Sequence, residues 1–297
     1  MELQQVRYVV AVVDHGTFTA AAAACFVAQP SLSHAVRALE RELGVDLFHR
    51  IGRHVRVTAA GEAFIPAARA TLSALDALRA EVGAVAGVLA GHLDLVALPT
   101  LAVDPVTPLV GAFRQAHPTV TVRLAHPDST RQLIQRVSSG QSEIGITELP
   151  APTGRLVTRA LGRQELVAIL PPGSPPRRHL DLAELALHPL VTQPTGTSVR
   201  DALDASFAAC GIAPVIAVET DQREAIVPLV LAGAGAAVLP RPMATVAERQ
   251  GATIAALRPA LWRDLGLVHR GAALSPAARA FLGIVAGAGP DLLRFGP

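Results

Sequence analysis

Apolar residues recur every three to four positions between residues 30 and 43, which is the spacing of a helix with one buried side. The predicted buried side consists of Leu32, Val36, Leu39 and Leu43. The opposite side consists of Pro30, Ser33, His34, Arg37 and Arg41. Proline suits the first turn of a helix, where its missing N–H would have no partner in any case. The pattern predicts an amphipathic helix that exposes small polar groups at its start and arginines further along.

A basic segment that contains no acidic residue from Leu47 to Gly61 follows this helix. Gly52 favours a turn inside the segment, which predicts a hairpin that carries Arg50, Arg53 and Arg56. A helix that enters the major groove, followed by a hairpin whose arginines reach phosphates or the minor groove, is a winged helix-turn-helix. Either piece alone is also typical of a solvated surface, but their order along the chain favours DNA binding. The predicted DNA contacts are Gln29, Pro30, Ser31, Ser33, His34, Arg37, Arg50 and Arg53.

A long helix is predicted over residues 59–88, with Thr58 as its N-terminal cap and a kink at Pro66. Its apolar positions alternate by four and three, which is the seam of a coiled coil. The seam consists of Phe64, Ala68, Thr71, Leu75, Leu78, Val82 and Val85. Two copies joined along it would present two recognition helices to two half-sites. The alternative is a helix that packs only on its own chain.

From residue 92 onward, short apolar strands alternate with helices, which predicts an α/β domain with a mainly parallel sheet. Strands are predicted over 92–98, 119–125, 142–147, 166–170, 190–192, 215–219, 236–239 and 265–269. Helices are predicted over 105–116, 129–139, 198–210, 224–231 and 276–285. The rhythm restarts at Leu166, which indicates two lobes, and the chain would cross between them near residues 161–164 and 262–266.

Ligands of open α/β sheets bind beyond the carboxyl ends of the strands and near helix N-termini. That rule selects Thr100, Leu101, Ser129, Thr130, Thr147, Thr195, Thr197 and Ser198 as candidates for a cleft between the lobes. Hydroxyl groups and helix N-termini accept an anion, so a small carboxylate is the expected ligand. Arg155 and Arg200 are candidate cations for the same cleft or solvated surface groups. For any single hydroxyl, ordinary helix capping is the alternative.

The N-terminal motifs resemble the DNA-binding domain of the LysR-type transcriptional regulators. They are Gly16-Thr-Phe-Thr-Ala-Ala-Ala, Gln29-Pro-Ser-Leu-Ser, Leu39-Glu-Arg-Glu-Leu-Gly, Leu47-Phe-His-Arg and Val57-Thr-Ala-Ala-Gly-Glu. Where the family has Ser-Gln-Pro-x-Leu-Ser-Arg-Gln-Ile, this chain has Ala28-Gln-Pro-Ser-Leu-Ser-His-Ala-Val36. Ala28 therefore lacks the side chain that would cap the helix, and His34 and Ala35 replace a long polar pair.

The resemblance extends more loosely over the rest of the chain and implies three domains. They are a winged helix-turn-helix over 1–58, a dimerisation linker helix over 59–88 and an α/β effector domain over 89–297. The effector domain would resemble periplasmic binding proteins, with lobe I over about 89–162 and 266–297 and lobe II over about 163–265. In the family, positions matching Thr100, Thr130, Thr197 and Ser198 line the effector cleft, and tetramers are usual.

Composition and cysteine content mainly exclude certain classes of protein and site. The formal net charge of the 297 residues is only +2, too weak to attract nucleic acid over the whole surface, and all 26 basic residues are arginine. The apolar run that ends at Asp14 is too short for a signal peptide or a membrane span. Cys25 and Cys210 lie in different predicted domains, which argues against a disulfide and against redox sensing. Gly233-Ala-Gly235 lacks the third glycine of a dinucleotide fingerprint and is interpreted as a helix-to-strand turn.

These observations predict a cytoplasmic, sequence-specific DNA-binding transcriptional regulator whose activity a small organic acid modulates. No catalytic residue, metal or cofactor is expected, because the histidines lack ligand spacing and the chain has no nucleophile elbow or phosphate loop. Expected partners are double-stranded DNA, the effector and further copies in a homodimer or homotetramer. RNA polymerase is a candidate partner, and a membrane is not. Two alternatives stay open: a two-lobed solute-binding protein or enzyme with an oligomerisation module, and an effector-free architectural DNA-binding protein.

Overall fold

The computed structural model describes residues 1–51, 54–85, 89, 91–127, 129–271 and 274–288. Its N-terminal part consists of helices α1 (Leu3–His15), α2 (Phe18–Ala24) and α3 (Gln29–Leu43) and the strands β1 (Phe48–Ile51) and β2 (His54–Val57). The two strands form the predicted antiparallel hairpin. Gly16, at φ 70°, ends α1, and Thr17 caps α2 by accepting the N–H of Ala20. This part has the topology of a winged helix-turn-helix, as predicted.

The α3 helix buries three of its predicted apolar residues, since Leu32, Val36 and Leu39 are inaccessible to solvent. Two predictions for this helix are wrong. Ser33 is only 7% exposed rather than on the open side, because it lies two turns before the buried Glu40 and so shares the side of α3 on which Glu40 is buried. Leu43 is 39% exposed, because it lies in the last turn, beyond the packed part of the helix.

Helix α4 (Ala59–Val85) leaves the hairpin and forms the linker. Thr58 caps it as predicted, since its Oγ1 accepts the N–H of Gly61 at 3.0 Å. The helix continues through Pro66, so the proline does not end it. Residues 86–88 of the predicted helix, and the side chains of the seam residues Val82 and Val85, lie outside the described part of the chain.

The remaining elements form the α/β part. The strands are β3 (Gly91–Ala97), β4 (Val120–Ala125), β5 (Ile144–Leu149), β6 (Val157–Leu170), β7 (His179–Asp181), β8 (Leu190–Thr192), β9 (Ile216–Glu219), β10 (Ala237–Pro240) and β11 (Thr253–His269). The helices are α5 (Pro99–Leu101), α6 (Thr107–Ala116), α7 (Thr130–Ser138), α8 (Leu182–Leu185), α9 (Ser198–Ala209), α10 (Ile226–Leu231), α11 (Arg241–Glu248) and α12 (Pro276–Gly287). A wide helical turn over Ala102–Val106 precedes α6, and a short 3-10 helix over Arg223–Ala225 precedes α10.

The main sheet is mixed, so the prediction of a mainly parallel sheet is wrong. Its strand order is β10-β6-β11-β5-β3-β4, with β7 paired to β11, while β8 and β9 form a separate parallel pair. Strand β3 runs parallel to β4 and β5, but β11 runs antiparallel to β5 and β6. The sequence pattern found only the buried ends of β6 and β11. The first half of β6 is mostly exposed and carries no continuous apolar run, whereas the apolar run Ile254-Ala-Ala-Leu257 at the start of β11 was not predicted as a strand.

Two lobes result, and β6 and β11 run through both. One apolar core contains Leu93, Phe113, Ile146 and Phe281, and it belongs to lobe I. Lobe II has two cores on opposite faces of its strands, represented by Phe207 and by Val230. The segments 161–164 and 262–266, which were predicted as crossings, lie in β6 and β11. Gly235, at φ 153°, makes the predicted helix-to-strand turn, where an added Cβ would lie 2.2 Å from the carbonyl oxygen of Pro189. None of the described helices combines the length and apolarity that a bilayer crossing requires.

Candidate nucleic-acid interface and ligand cleft

The first turns of α3 carry most of the predicted DNA-contacting residues. Ala28, the N-cap, makes no side-chain cap, and Pro30 occupies the first turn. The exposed members of the predicted set are Gln29, Pro30, Ser31, His34 and Arg37. Ser33 is buried and does not share this exposed surface. Arg50 belongs to β1 opposite Val55, whereas its side chain and all of Arg53 lie outside the described part.

Glu40 attaches the hairpin to the recognition helix, a role that the sequence analysis missed. Its Oε1 accepts the N–H of Leu47 at 2.9 Å and the N–H of Phe48 at 3.2 Å, in a buried position. The ring of Phe48 also meets that of Phe18 edge-on, with centroids 5.8 Å apart. These contacts fix the position of the β1–β2 hairpin, which is the wing of the fold, relative to the helices. The sequence signal was an acidic residue next to the apolar residue Leu39 in the helix predicted to contact DNA.

A cavity of about 390 Å³ lies between the lobes. Its lining includes Thr100, Ser129, Thr130 and Glu148 from lobe I and Gln193 and Ser198 from lobe II. Ser129 caps α7, since its hydroxyl accepts the N–H of Gln132. The cavity therefore combines two helix N-termini with hydroxyl groups, as the strand-end rule anticipates.

Four of the predicted cleft residues lie in the lining: Thr100, Ser129, Thr130 and Ser198. The other four do not. Leu101 is fully buried in the core of lobe I, and Thr147 is fully buried with its hydroxyl 3.5 Å from that of Thr130. Thr195 is exposed, and the hydroxyl of Thr197 donates to the carbonyl of Pro194 at 2.8 Å.

A buried arginine joins the lobes beneath the cavity. Arg263, on β11, is 2% exposed. Its Nη2 donates to Oγ1 of Thr100 at 3.0 Å, and its Nη1 donates to Oγ of Ser198 at 3.1 Å. Because Thr100 belongs to lobe I and Ser198 to lobe II, one guanidinium holds both sides of the cleft.

Gln164, on β6, holds the Arg263 side chain in place. Its Oε1 accepts the Arg263 Nε–H at 2.9 Å, and its Nε2 donates to Oδ2 of Asp104 at 2.8 Å. Burial lowers the pKa of Arg263 to about 10, against the opposing charges of Glu148 and Asp104, so the guanidinium stays protonated at neutral pH. Gln164 and Arg263 were not among the predicted cleft residues. Their signal was the presence of polar residues at the two predicted lobe crossings.

Glu148 places a carboxylate in the same cleft, where its Oε2 accepts the hydroxyl hydrogen of Ser198. Burial raises the pKa of Glu148 above its ordinary value, and the Ser198 hydrogen bond and the charge of Arg263 oppose that rise. Serine thus lies between the two charged groups, accepting from Arg263 and donating to Glu148.

Neither arginine that was named as a candidate cation lines the cavity. Arg200 forms ion pairs with Asp204 at 2.7 Å and with Glu219 at 3.1 Å within lobe II, and Arg155 is exposed. The arginines in the lining are Arg131 and Arg223. The described residues contain no group of three or more side chains placed to hold a metal ion. The cleft thus exposes polar groups of both lobes to one cavity.

Two family models match this chain. Residues 3–62 match the bacterial regulatory helix-turn-helix protein model of the lysR family, and residues 86–289 match the LysR substrate binding domain. The first match covers the N-terminal helices and hairpin, called the head below, and the second covers the two-lobed part.

Individual proteins agree with these matches. The chain is 32% identical to the HTH-type transcriptional regulator IlvR of Caulobacter vibrioides, over 98% of this chain and all of the relative. Among solved structures, a full-length OxyR variant from Pseudomonas aeruginosa is 25% identical, with a TM-score of 0.77 over 99% of this chain and 95% of that one. Full-length CbnR complexed with its target DNA is also 25% identical, with a TM-score of 0.65 over 97% of this chain and 99% of that one.

Proposed function

The chain belongs to the LysR family of DNA-binding transcriptional regulators, and from this premise we propose that a small carboxylate bound between its lobes modulates its binding to specific DNA sites. The observation that carries the proposal is the Arg263 guanidinium, which bonds Thr100 of lobe I and Ser198 of lobe II at the base of the cavity. A ligand that engages these hydroxyls favours one arrangement of the lobes, and only such a preference can shift the regulator between states.

The proposed DNA surface is the start of α3 together with the wing. Gln29 has the side-chain amide that pairs with adenine in the major groove, and Ser31 and His34 are exposed on the same turns. Arg37 and the wing residues Arg50 and Arg53 supply phosphate contacts. Ser33, being buried, supports the helix rather than reading bases.

We propose that two copies pair along α4, where the apolar side chain of the seam residue Leu78 is 61% exposed. CbnR, a full-length relative, was solved with its target DNA. For this chain we propose the division into 1–58, 59–88 and 89–297, a homodimer or homotetramer, a cytoplasmic location beside the DNA, and a regulatory rather than enzymatic role. RNA polymerase is a candidate further partner.

The test is DNA binding to a panel of genomic fragments at one fixed physiological salt concentration, including the DNA upstream of the gene for this chain. Wild type is compared with Gln29→Ala and Arg37→Ala. The matched control is Arg159→Ala, because Arg159 is an exposed arginine on β6 in the effector domain. Fixed salt matters because phosphate contacts alone can mimic affinity.

We expect selective retention of a few fragments. Gln29→Ala should relax the selectivity at one base position by about 1–3 kcal/mol, and Arg37→Ala should weaken all fragments alike and lower the salt dependence. Arg159→Ala should match wild type. Uniform weak binding that is insensitive to both head substitutions would overturn the proposed DNA surface. Turnover of a small molecule would instead support an enzyme.

A further inference from the structure

The negative charge of Glu148 disfavours a ligand that carries only negative charge. Its carboxylate lines the cavity, and a bound carboxylate would place a second negative charge against it. Repulsion between two carboxylates at one partly buried site is large unless one of them takes up a proton. The ligand must therefore be compatible with the negative charge of Glu148 and also hydrogen-bond to the hydroxyl groups.

The hydrogen bonds show what the cleft still offers. Oγ1 of Thr100 accepts from Arg263, which can only donate, so the hydroxyl hydrogen of Thr100 is available to a ligand acceptor. In the part of the chain that the structure describes, no group accepts this hydrogen. The Oε2 of Glu148 accepts from Ser198, whereas Oε1 has no hydrogen-bond partner among the described residues. Thr100 and Glu148 thus present to the cavity a donor, backed by the positive charge of Arg263, and a negative acceptor.

Other lining residues repeat this separation of charge. Arg131, at the start of α7, and Arg223 are positive, and Asp201, in the first turn of α9, is negative. Asp201 accepts the N–H of Gly196 at 2.8 Å and is exposed to solvent, whereas Glu148 is partly buried, so Glu148 is the acid that most needs a counter-charge from the ligand. A ligand that carries both signs of charge would satisfy the cavity without adding net charge to it.

We propose that the effector is a zwitterion of the α-amino acid type, with its carboxylate at the Thr100 hydroxyl and the α7 N-terminus and its ammonium group at Glu148 Oε1. A cavity of about 390 Å³ accommodates such a molecule with a modest side chain. This inference rests on the proposed function, because it names the ligand of the same cleft.

The experiment compares three series of compounds that share carbon skeletons, on the full-length protein by titration calorimetry at neutral pH. The first series is the L-amino acids alanine, valine, leucine and phenylalanine. The second is the matching 2-keto acids, and the third is the matching amines without the carboxyl group. Each titration is repeated in two buffers of different ionisation enthalpy, so that proton uptake on binding is measured directly.

Two variants accompany wild type. Glu148→Gln removes the charge at the proposed ammonium site. Glu184→Gln is the control, because Glu184 is a half-exposed acid of lobe II on α8, paired with Arg177 at 2.9 Å and not in the cavity lining. If Glu148→Gln does not fold, the comparison of the three series and the proton uptake on wild type still decide the matter.

We expect at least one amino acid to bind about tenfold or more tightly than its keto acid and its amine, without proton uptake, because only the amino acid engages both Thr100 and Glu148; tenfold corresponds to about 1.4 kcal/mol. Glu148→Gln should abolish the preference over the keto acid, and Glu184→Gln should keep it. Equal or tighter binding of the keto acids, with uptake of a proton by Glu148, would overturn the zwitterion while leaving the proposed carboxylate effector in place. Equal binding of the amines would also overturn it. Binding by none of the three series would overturn both.

Discussion

The guanidinium of Arg69, on the linker helix α4, forms an ion pair with the carboxylate of Asp14 near the end of α1, with Nη1 3.2 Å from Oδ2. The Arg69 side chain is only 9% exposed. On its other side, a Cβ added at Gly140 would lie 3.0 Å from the Cβ of Arg69, so the linker also touches lobe I. The DNA-binding head, the linker and the effector domain of one chain meet at this arginine.

Asp14→Asn should therefore destabilise the protein by about 1–3 kcal/mol. The loss is smaller than for a fully buried pair, because Asp14 is 36% exposed, but the substitution leaves a buried guanidinium without its counter-charge. Urea unfolding measures the change. Glu184→Gln, which breaks a solvent-exposed pair, should cost no more than about 0.5 kcal/mol. Equal losses of unfolding free energy in the two variants would show that the Arg69–Asp14 pair contributes no more to stability than a solvent-exposed ion pair.

Glu40 should matter as an acceptor rather than as a charge. Glu40→Leu leaves the N–H groups of Leu47 and Phe48 without their acceptor, at a cost of about 1–3 kcal/mol for each. Glu40→Gln keeps a carbonyl oxygen at the same position and should retain most of the stability. DNA affinity should fall with Glu40→Leu, because the wing loses its attachment to α3. The checks are urea unfolding and fluorescence anisotropy with labelled DNA, and an equally damaging Glu40→Gln would contradict the role of the acceptor.

The N-terminal head could be predicted almost completely from the sequence, because its determinants are local. Apolar spacing, Pro30 in the first helical turn and the glycines of the turns act within a few residues, and the observed α3 and hairpin follow from them. Ser33 was misplaced because its burial depends on how the other elements of the N-terminal part pack on α3, which the local pattern does not specify.

The effector domain could be predicted only in part, because its sheet depends on long-range pairing. Pattern analysis located the buried strands, yet β6 and β11 run antiparallel to each other along their length, and nothing local specifies that pairing. The cleft shows the same limit. Thr100 and Ser198 follow from the strand-end rule, whereas Arg263 hydrogen-bonds Thr100 across 163 positions of sequence.

Leu78 should support association of two copies. It is 61% exposed on α4 at a predicted seam position, where an aspartate would place a charge between the paired helices. Leu78→Asp should shift the protein toward smaller species in sedimentation velocity and weaken binding to a two-half-site operator more than binding to a single half-site. Leu187→Asp is the matched control, because Leu187 is an 84% exposed leucine outside the linker helix. An unchanged sedimentation profile for Leu78→Asp would mean that the helix packs only on its own chain.

Glu143 should make stability depend on pH. It is 7% exposed and accepts the N–H of Ser275 at 2.8 Å and the Ser275 hydroxyl at 2.9 Å. Burial raises its pKa despite these hydrogen bonds and the nearby charge of Arg270. The folded state therefore holds the proton to a higher pH than the unfolded chain does. This contribution to stability is present at low pH and is lost as the pH rises from about 4.3, the unfolded value, through the raised folded value.

The measurement is the free energy of unfolding of wild type minus that of Glu143→Gln, followed across this window. The difference should fall as the pH rises, with a slope of at most about 1.4 kcal/mol per pH unit for one proton. Ser275→Ala provides a second reading, because it removes the hydroxyl donor that favours the Glu143 carboxylate and should extend the falling region to higher pH. A difference that rises with pH would mean that the hydrogen bonds of Ser275 outweigh burial at Glu143.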